Sequence, residues 1–387
     1  MGTVSSIHAK LIDVPLRNYQ PVLATTASTE NTQRATPSHS HPHHHMSTET
    51  KKRGFLVDMH YFRAFAILNV MLVHILQPPH AFHIQADSSG LLTVKGILFH
   101  NSTIYFIFIS GFLFQYLSYK FNIRNYYKAK VINVITPYVI NSLFIMCVMS
   151  YAWGYYQLNY YTVIRNLLLG ETQTQYWYIP FVSIIFLISP FLLKIKINTF
   201  TASTLLLLLS PLLGTRTGVT ISPGMYIYFF PIYCFGMICA IHYEKLLRFC
   251  KKYNKMMALI AILSTAILYE MTCTHTEHFM LLNQEGIYYI QKMSILFLAI
   301  HLLQALKGRN IRVLHLLANY SFSAYFLHIF VGKLFTKSLL AIYPGLTALD
   351  WSLLAIPSAL VTIALTLGLA VLIKKLAGPY SRMLIGA

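Results

Sequence analysis

Arg63 and His74 stand eleven residues apart in FRAFAILNVMLVHI (62–75), a run that is otherwise almost wholly apolar. On a helix that interval is ~16 Å along the axis. A neutral imidazole held away from bulk water can serve as a general base near neutral pH, or carry a group covalently. Both residues also have plain readings. An arginine near a membrane helix end can snorkel to the headgroups, and a lone histidine in an apolar helix can be a packing residue. Ionisable groups at membrane depth are nonetheless functional candidates by default.

The elements that must position this pair follow from composition. Of 387 residues, 56% are hydrophobic and only 11% charged, against about 25% charged in a soluble domain. The expected fold is all-α, a polytopic bundle of membrane helices surrounded by lipid. A net charge of +19 would suit nucleic acid, but the basic residues sit in short loops between apolar runs, where they act as a topology signal. No nucleic-acid partner is expected, and the oligomeric state is left open. Residues 1–50 are rich in Ser, Thr, Pro and His, and their composition predicts a disordered tail. Within it HSHPHHH (39–45) is too loosely spaced to define a metal site, so no metal is expected. The five cysteines follow no metal or redox spacing and read as packing residues.

A membrane helix needs about 20 apolar residues. Ten stretches qualify: 57–77, 97–119, 131–151, 176–195, 199–214, 225–243, 254–271, 288–306, 313–334 and 350–373. Lys51, Lys52 and Arg53 precede the first. Every second connection after that is basic: Lys120, Arg124, Lys128 and Lys130; Lys194 and Lys196; Lys245, Arg248, Lys251, Lys252 and Lys255; Lys307, Arg309 and Arg312; and Lys374, Lys375 and Arg382. That places 20 basic residues on one side. The other side has 5, namely Lys95, Arg165, Arg216, Lys333 and Lys337. The positive-inside bias predicts that both termini are cytoplasmic, which agrees with an even count of ten spans; the expected location is the inner (cytoplasmic) membrane. The 270–287 connection, with Glu270, Glu277 and Glu285 but no Lys or Arg, is expected outside.

Six elements occur in an order that resembles the acyltransferase 3 family of integral membrane acyltransferases. HYFRAFAILNVMLVHI (60–75) resembles its first-helix signature, with the Arg–His interval kept. FIFISGFLF (106–114), YYKAKVINVITPY (126–138) and YWYIPFVSIIFLISPFLL (176–193) resemble its second, third and fourth elements. FPIYCFGMICA (230–240) and NYSFSAYFLHIF (319–330) resemble its Phe-Gly and Tyr-Leu-x-His elements. The likeness runs from about 55 to 375 and implies residues 51–387 as one transmembrane domain.

The resemblance implies an O-acyltransferase. An acyl group, most simply acetyl, would pass from cytoplasmic acyl-CoA to a hydroxyl of an envelope or secreted polysaccharide. His74 would deprotonate that hydroxyl or carry the acyl group. Arg63, Lys128, Lys130 and Asn133 would form the donor side, and His100, Trp177, Tyr178 and His328 the acceptor side. Two departures bear on this. His60 stands where the family often has Asp, and the third helix reads Lys130-Val-Ile-Asn133 in place of Arg-x-x-Arg. Lysine lacks the planar fork that grips phosphate. Similar weakening marks the branch linked to poly-N-acetylglucosamine, described both as an exporter and as a succinyltransferase. A polysaccharide exporter without chemistry is therefore the alternative. Of the remaining residues, Trp177 and Tyr178 read either as an interfacial belt or as a sugar platform. Ser110 and Gly111 read as helix packing and Lys292 as a snorkelling residue. Prolines 137, 180, 190 and 231 read as breaks around a cavity or as tolerated kinks.

Overall fold

Over their described residues, all ten apolar stretches are mainly helical in the computed structural model, which describes residues 54–75, 90–154, 158–214, 221–344 and 348–387. The tail at 1–50 and its histidine run lie outside the described residues. The first stretch is α1 (Val57–Ile75), and the second is broken into α2 (Gly90–Phe99) and α3 (Thr103–Tyr116). A basic entry helix α4 (Ile123–Lys130) runs through a π-helical turn, Val131–Ile135, into α5 (Thr136–Trp153). Next come α6 (Tyr160–Leu169), α7 (Tyr178–Leu192), α8 (Ile197–Leu207), α9 (Ser210–Leu213), α10 (Pro223–Ile241) and α11 (Tyr243–Cys273). A two-residue-per-strand hairpin (His278–Phe279 with Leu282–Asn283) leads to α12 (Gln284–Ala305). The chain closes with α13 (Arg312–Asn319), α14 (Ser321–Ile342), α15 (Ala348–Ala377) and α16 (Ser381–Ile385).

Seven helical segments among the described residues are long and apolar enough to cross a membrane, and two more, Tyr178–Leu192 and Ile197–Leu213, are apolar but shorter. The 19 residues of α1 are diluted by Asp58, His60 and Arg63. The protein is an all-α, multi-pass membrane protein.

Small residues set the crossing of α3 and α10. A Cβ on Gly111 of α3 would collide with the backbone carbonyl of Tyr233, and one on Gly236 of α10 with that of Phe108. Glycines let membrane helices approach until backbones touch, so the packing expectation for Gly111 holds. Pro190 and Pro231 lie inside α7 and α10. Pro137 and Pro180 occupy first turns, where a missing N–H costs little. Cys234, Cys239 and Cys250 are buried thiols, while Cys147 and Cys273 are exposed.

The snorkelling expectation for Lys292 fails. Its side chain is 0% exposed, and Nζ donates to the carbonyls of Ile97 (3.0 Å) and Leu98 (2.8 Å) and to Gln291 Oε1 (2.5 Å). The last carbonyls of a helix lack intrahelical partners and carry its negative dipole end. A cation turned inward satisfies them and fixes where α2 stops. Sequence could not reveal this, because the carbonyls lie nearly 200 positions away.

Candidate functional site

The break between α2 and α3 presents His100, Asn101 and Ser102 to the interior. Asn101 takes a left-handed backbone, φ 57°, which asparagine tolerates better than most residues. Its Nδ2 donates to Tyr228 Oη at 3.2 Å and to Glu285 Oε2 at 2.5 Å. Ser102 Oγ caps the carbonyl of Phe99 at 2.5 Å. Glu285 sits in the first turn of α12 behind the N-cap Asn283, whose side chain accepts from Gly286 N. A carboxylate is favoured there by the helix dipole. Its Oε1 lies 3.4 Å from His100 Nε2. His100 therefore lies at a break inside the second stretch.

A cavity of about 180 Å³ opens at this break. Val70, Val73 and His74 of α1 form one wall, and His100, Asn101 and Ser102 another. Thr174, Gln175 and Trp177 enter from the segment before α7, Tyr178 from the first residue of α7, and Tyr325 from α14. Tyr325 holds that segment: its hydroxyl donates to Gln175 O at 2.5 Å, and Tyr176 reaches Phe326 O at 3.1 Å. Four of the predicted residues, His74, His100, Trp177 and Tyr178, thus meet at one cavity.

Trp177 is 4% exposed and stacks on Phe229, with centroids 5.8 Å apart and planes at 27°. That burial removes the interfacial-belt reading for Trp177. With one face on Phe229, the tryptophan is less open to a sugar than a free platform would be.

His328 is absent from the cavity wall. It is wholly buried, and its ring centroid lies 5.6 Å from that of His74. Its Nδ1 is 2.8 Å from Ala324 O and 3.0 Å from Tyr325 O. Carbonyls only accept, so Nδ1 carries the hydrogen and Nε2 is left with its lone pair. Among the described residues that nitrogen is buried without a hydrogen-bond partner. The geometry puts His328 beside the catalytic candidate and away from the acceptor wall.

The donor-side residues are more dispersed. Arg63 Nη2 donates to Ser321 Oγ at 3.0 Å, and among the described residues no carboxylate pairs with its guanidinium. Lys130 lies 3.7 Å from the ring centroid of Phe186 and 5.4 Å from that of Tyr126. Lys128 is exposed, and Asn133 is half-buried in the π-helical turn. Among the described residues no hydrogen bond or ring contact joins Arg63 to the other three.

Residues the sequence reading passed over complete the site. The polar run Glu171–Gln175 between two apolar helices was a visible signal, and Gln175 emerges as cavity wall. In the sequence Glu285 is one of three acidic residues of the 270–287 connection.

The acyltransferase 3 family model, described as an acyltransferase domain, matches residues 56–375. No curated protein matches the chain, and no solved structure does.

Proposed function

This chain belongs to the acyltransferase 3 family, and from that premise we propose that it is an O-acyltransferase of the inner (cytoplasmic) membrane. The donor is acyl-CoA, most simply acetyl-CoA, and the acceptor is a sugar hydroxyl of an envelope or secreted polysaccharide. The chain crosses the membrane ten times with both termini in the cytoplasm. The supporting observation is the convergence of His74, His100 and the Thr174–Tyr178 segment on one cavity, with Arg63 on the same helix as His74 and ~16 Å along its axis.

Arg63 is a half-buried cation without a carboxylate partner among the described residues, so it suits the phosphates of the donor. Lys130 would add charge at the α4 entry, and Lys128 and Asn133 flank it. The pantetheine arm would span the interval and bring the thioester to His74. Transfer moves the acyl carbon from sulfur to oxygen. One proton leaves the acceptor hydroxyl, and one reaches the departing thiolate. His74 is the acid–base or acyl-carrying group of that exchange.

The exporter reading has one observation in its favour: Lys130 lies over Phe186, and Asn133 adds no charge. The size of the cavity weighs against it. At about 180 Å³ it is below the roughly 300–1,000 Å³ of drug-sized ligand sites, and suits one sugar unit better than a passing polymer. The test is reconstitution of the full chain in lipid vesicles with labelled acetyl-CoA and N-acetylglucosamine oligomers. Acyl transfer that His74→Ala removes supports the enzyme. Unchanged acylation with reduced polymer at the surface of His74→Ala cells supports export.

A further inference from the structure

The cavity holds a second histidine with the architecture of a general base. His100 contributes to its wall, and a carboxylate stands behind the ring. Glu285 Oε1 is 3.4 Å from His100 Nε2, with side chains 21% and 40% exposed respectively. A carboxylate only accepts, so Nε2 carries the hydrogen, and in the neutral ring Nδ1 keeps a lone pair. The ring of Tyr288 packs against the imidazole, centroids 4.3 Å apart. Glu285 is itself fixed: its Oε2 takes the 2.5 Å bond from Asn101, and its backbone carbonyl accepts from Tyr228 Oη at 3.0 Å. Lys292 holds the end of α2 just before His100. A base oriented by a third group, on a scaffold that pins both, is the arrangement that activates a hydroxyl.

We infer that His100, oriented by Glu285, is the base that deprotonates the acceptor hydroxyl, leaving His74 to serve the departing thiol. The inference rests on the acyltransferase reading and divides its proton traffic. Nδ1 of His100 takes the acceptor proton as the hydroxyl oxygen bonds to the thioester carbonyl carbon. The carbon–sulfur bond breaks, and the CoA thiolate takes a proton from His74, which enters the step as imidazolium and ends it neutral. Each histidine then returns to its starting state by exchange with solvent. His100 is catalytic, and Glu285 is a positioning residue that acts through it.

The experiment uses the full chain in lipid vesicles with acetyl-CoA and N-acetylglucosamine oligomers. His100→Ala should lose transfer by about 10²–10⁴, and added imidazole should restore part of it. Glu285→Gln should lower kcat in the wild-type background and cost nothing further in the His100→Ala background, because the two act as one unit. Glu285→Asp should recover part of the loss. Thermal unfolding of each variant identifies loss through misfolding, and Asn101→Asp provides a second route for perturbing Glu285 if Glu285→Gln does not fold. Wild-type rates in His100→Ala, or an equal Glu285→Gln cost in both backgrounds, would overturn the assignment and leave the acyltransferase reading intact. Failure of the wild type to transfer would remove both.

Discussion

His74 on α1 and His328 on α14 stand with ring centroids 5.6 Å apart, and the second is locked in one tautomer by the carbonyls of Ala324 and Tyr325. The ring is buried, its Nε2 has no hydrogen-bond partner among the described residues, and it lies behind the cavity wall against His74. If this packing positions His74, replacing His328 by Phe should lower kcat with little change in KM. The double variant His74→Ala/His328→Phe should be no worse than His74→Ala alone. Additive losses in single-turnover rates would show that His328 has a role of its own.

Helix packing supplies a second expectation. Gly236→Ala puts a Cβ against the Phe108 carbonyl, an atom of the α3 backbone that cannot swing aside. Overpacking of this kind costs about 1–3 kcal/mol. Thermal unfolding in lipid nanodiscs should register the loss, while the rate per folded molecule changes little.

Topology is the third. In a background with the exposed Cys147 and Cys273 changed to Ser, a cysteine at Met280, which is 87% exposed in the hairpin, should react with an impermeant thiol reagent on intact cells. One at Lys251, on the basic stretch of α11, should react only after permeabilisation. The reverse pattern would invert the orientation drawn from the loop charges.

These expectations divide along what a linear sequence can carry. Helices were legible because twenty apolar residues have few other uses, and Gly111 was legible as packing for the same reason. His74 stood out because imidazole is costly in hydrocarbon. Glu285 was hidden: a carboxylate in an outer loop is unremarkable until folding sets it against His100, 185 positions away. Lys292 departs from the snorkelling expectation because a lysine near a helix end ordinarily reaches outward, and only the end carbonyls of α2, which lack intrahelical donors, turn it in. The break at His100–Ser102 lacks proline and glycine, so no residue in the apolar run announced it.

The donor side gives the fourth expectation. Arg63 bonds Ser321 through one nitrogen, and the rest of its planar fork has no carboxylate partner among the described residues. Arg63→Lys keeps the charge and loses the fork. The KM for acetyl-CoA should rise severalfold or more, with the KM for the acceptor unchanged. Ser321→Ala should have a smaller effect in the same direction. A rise in acceptor KM instead would move Arg63 to the other substrate.

The last expectation separates the two cavity histidines by the leaving group. If His74 gives its proton to the CoA sulfur, the need for it depends on how basic that sulfur is. His74→Ala should lose about 10²–10⁴ in rate with acetyl-CoA. With an aryl thioester, whose thiol is a stronger acid and departs readily as the anion, the deficit should shrink severalfold. His100→Ala should show no such relief, because the acceptor hydroxyl must lose its proton whichever donor is used. An acyl-histidine mechanism predicts a different outcome: without the nucleophile both donors would fail alike. Full activity of His74→Ala with acetyl-CoA would reduce His74 to packing and remove it from the chemistry.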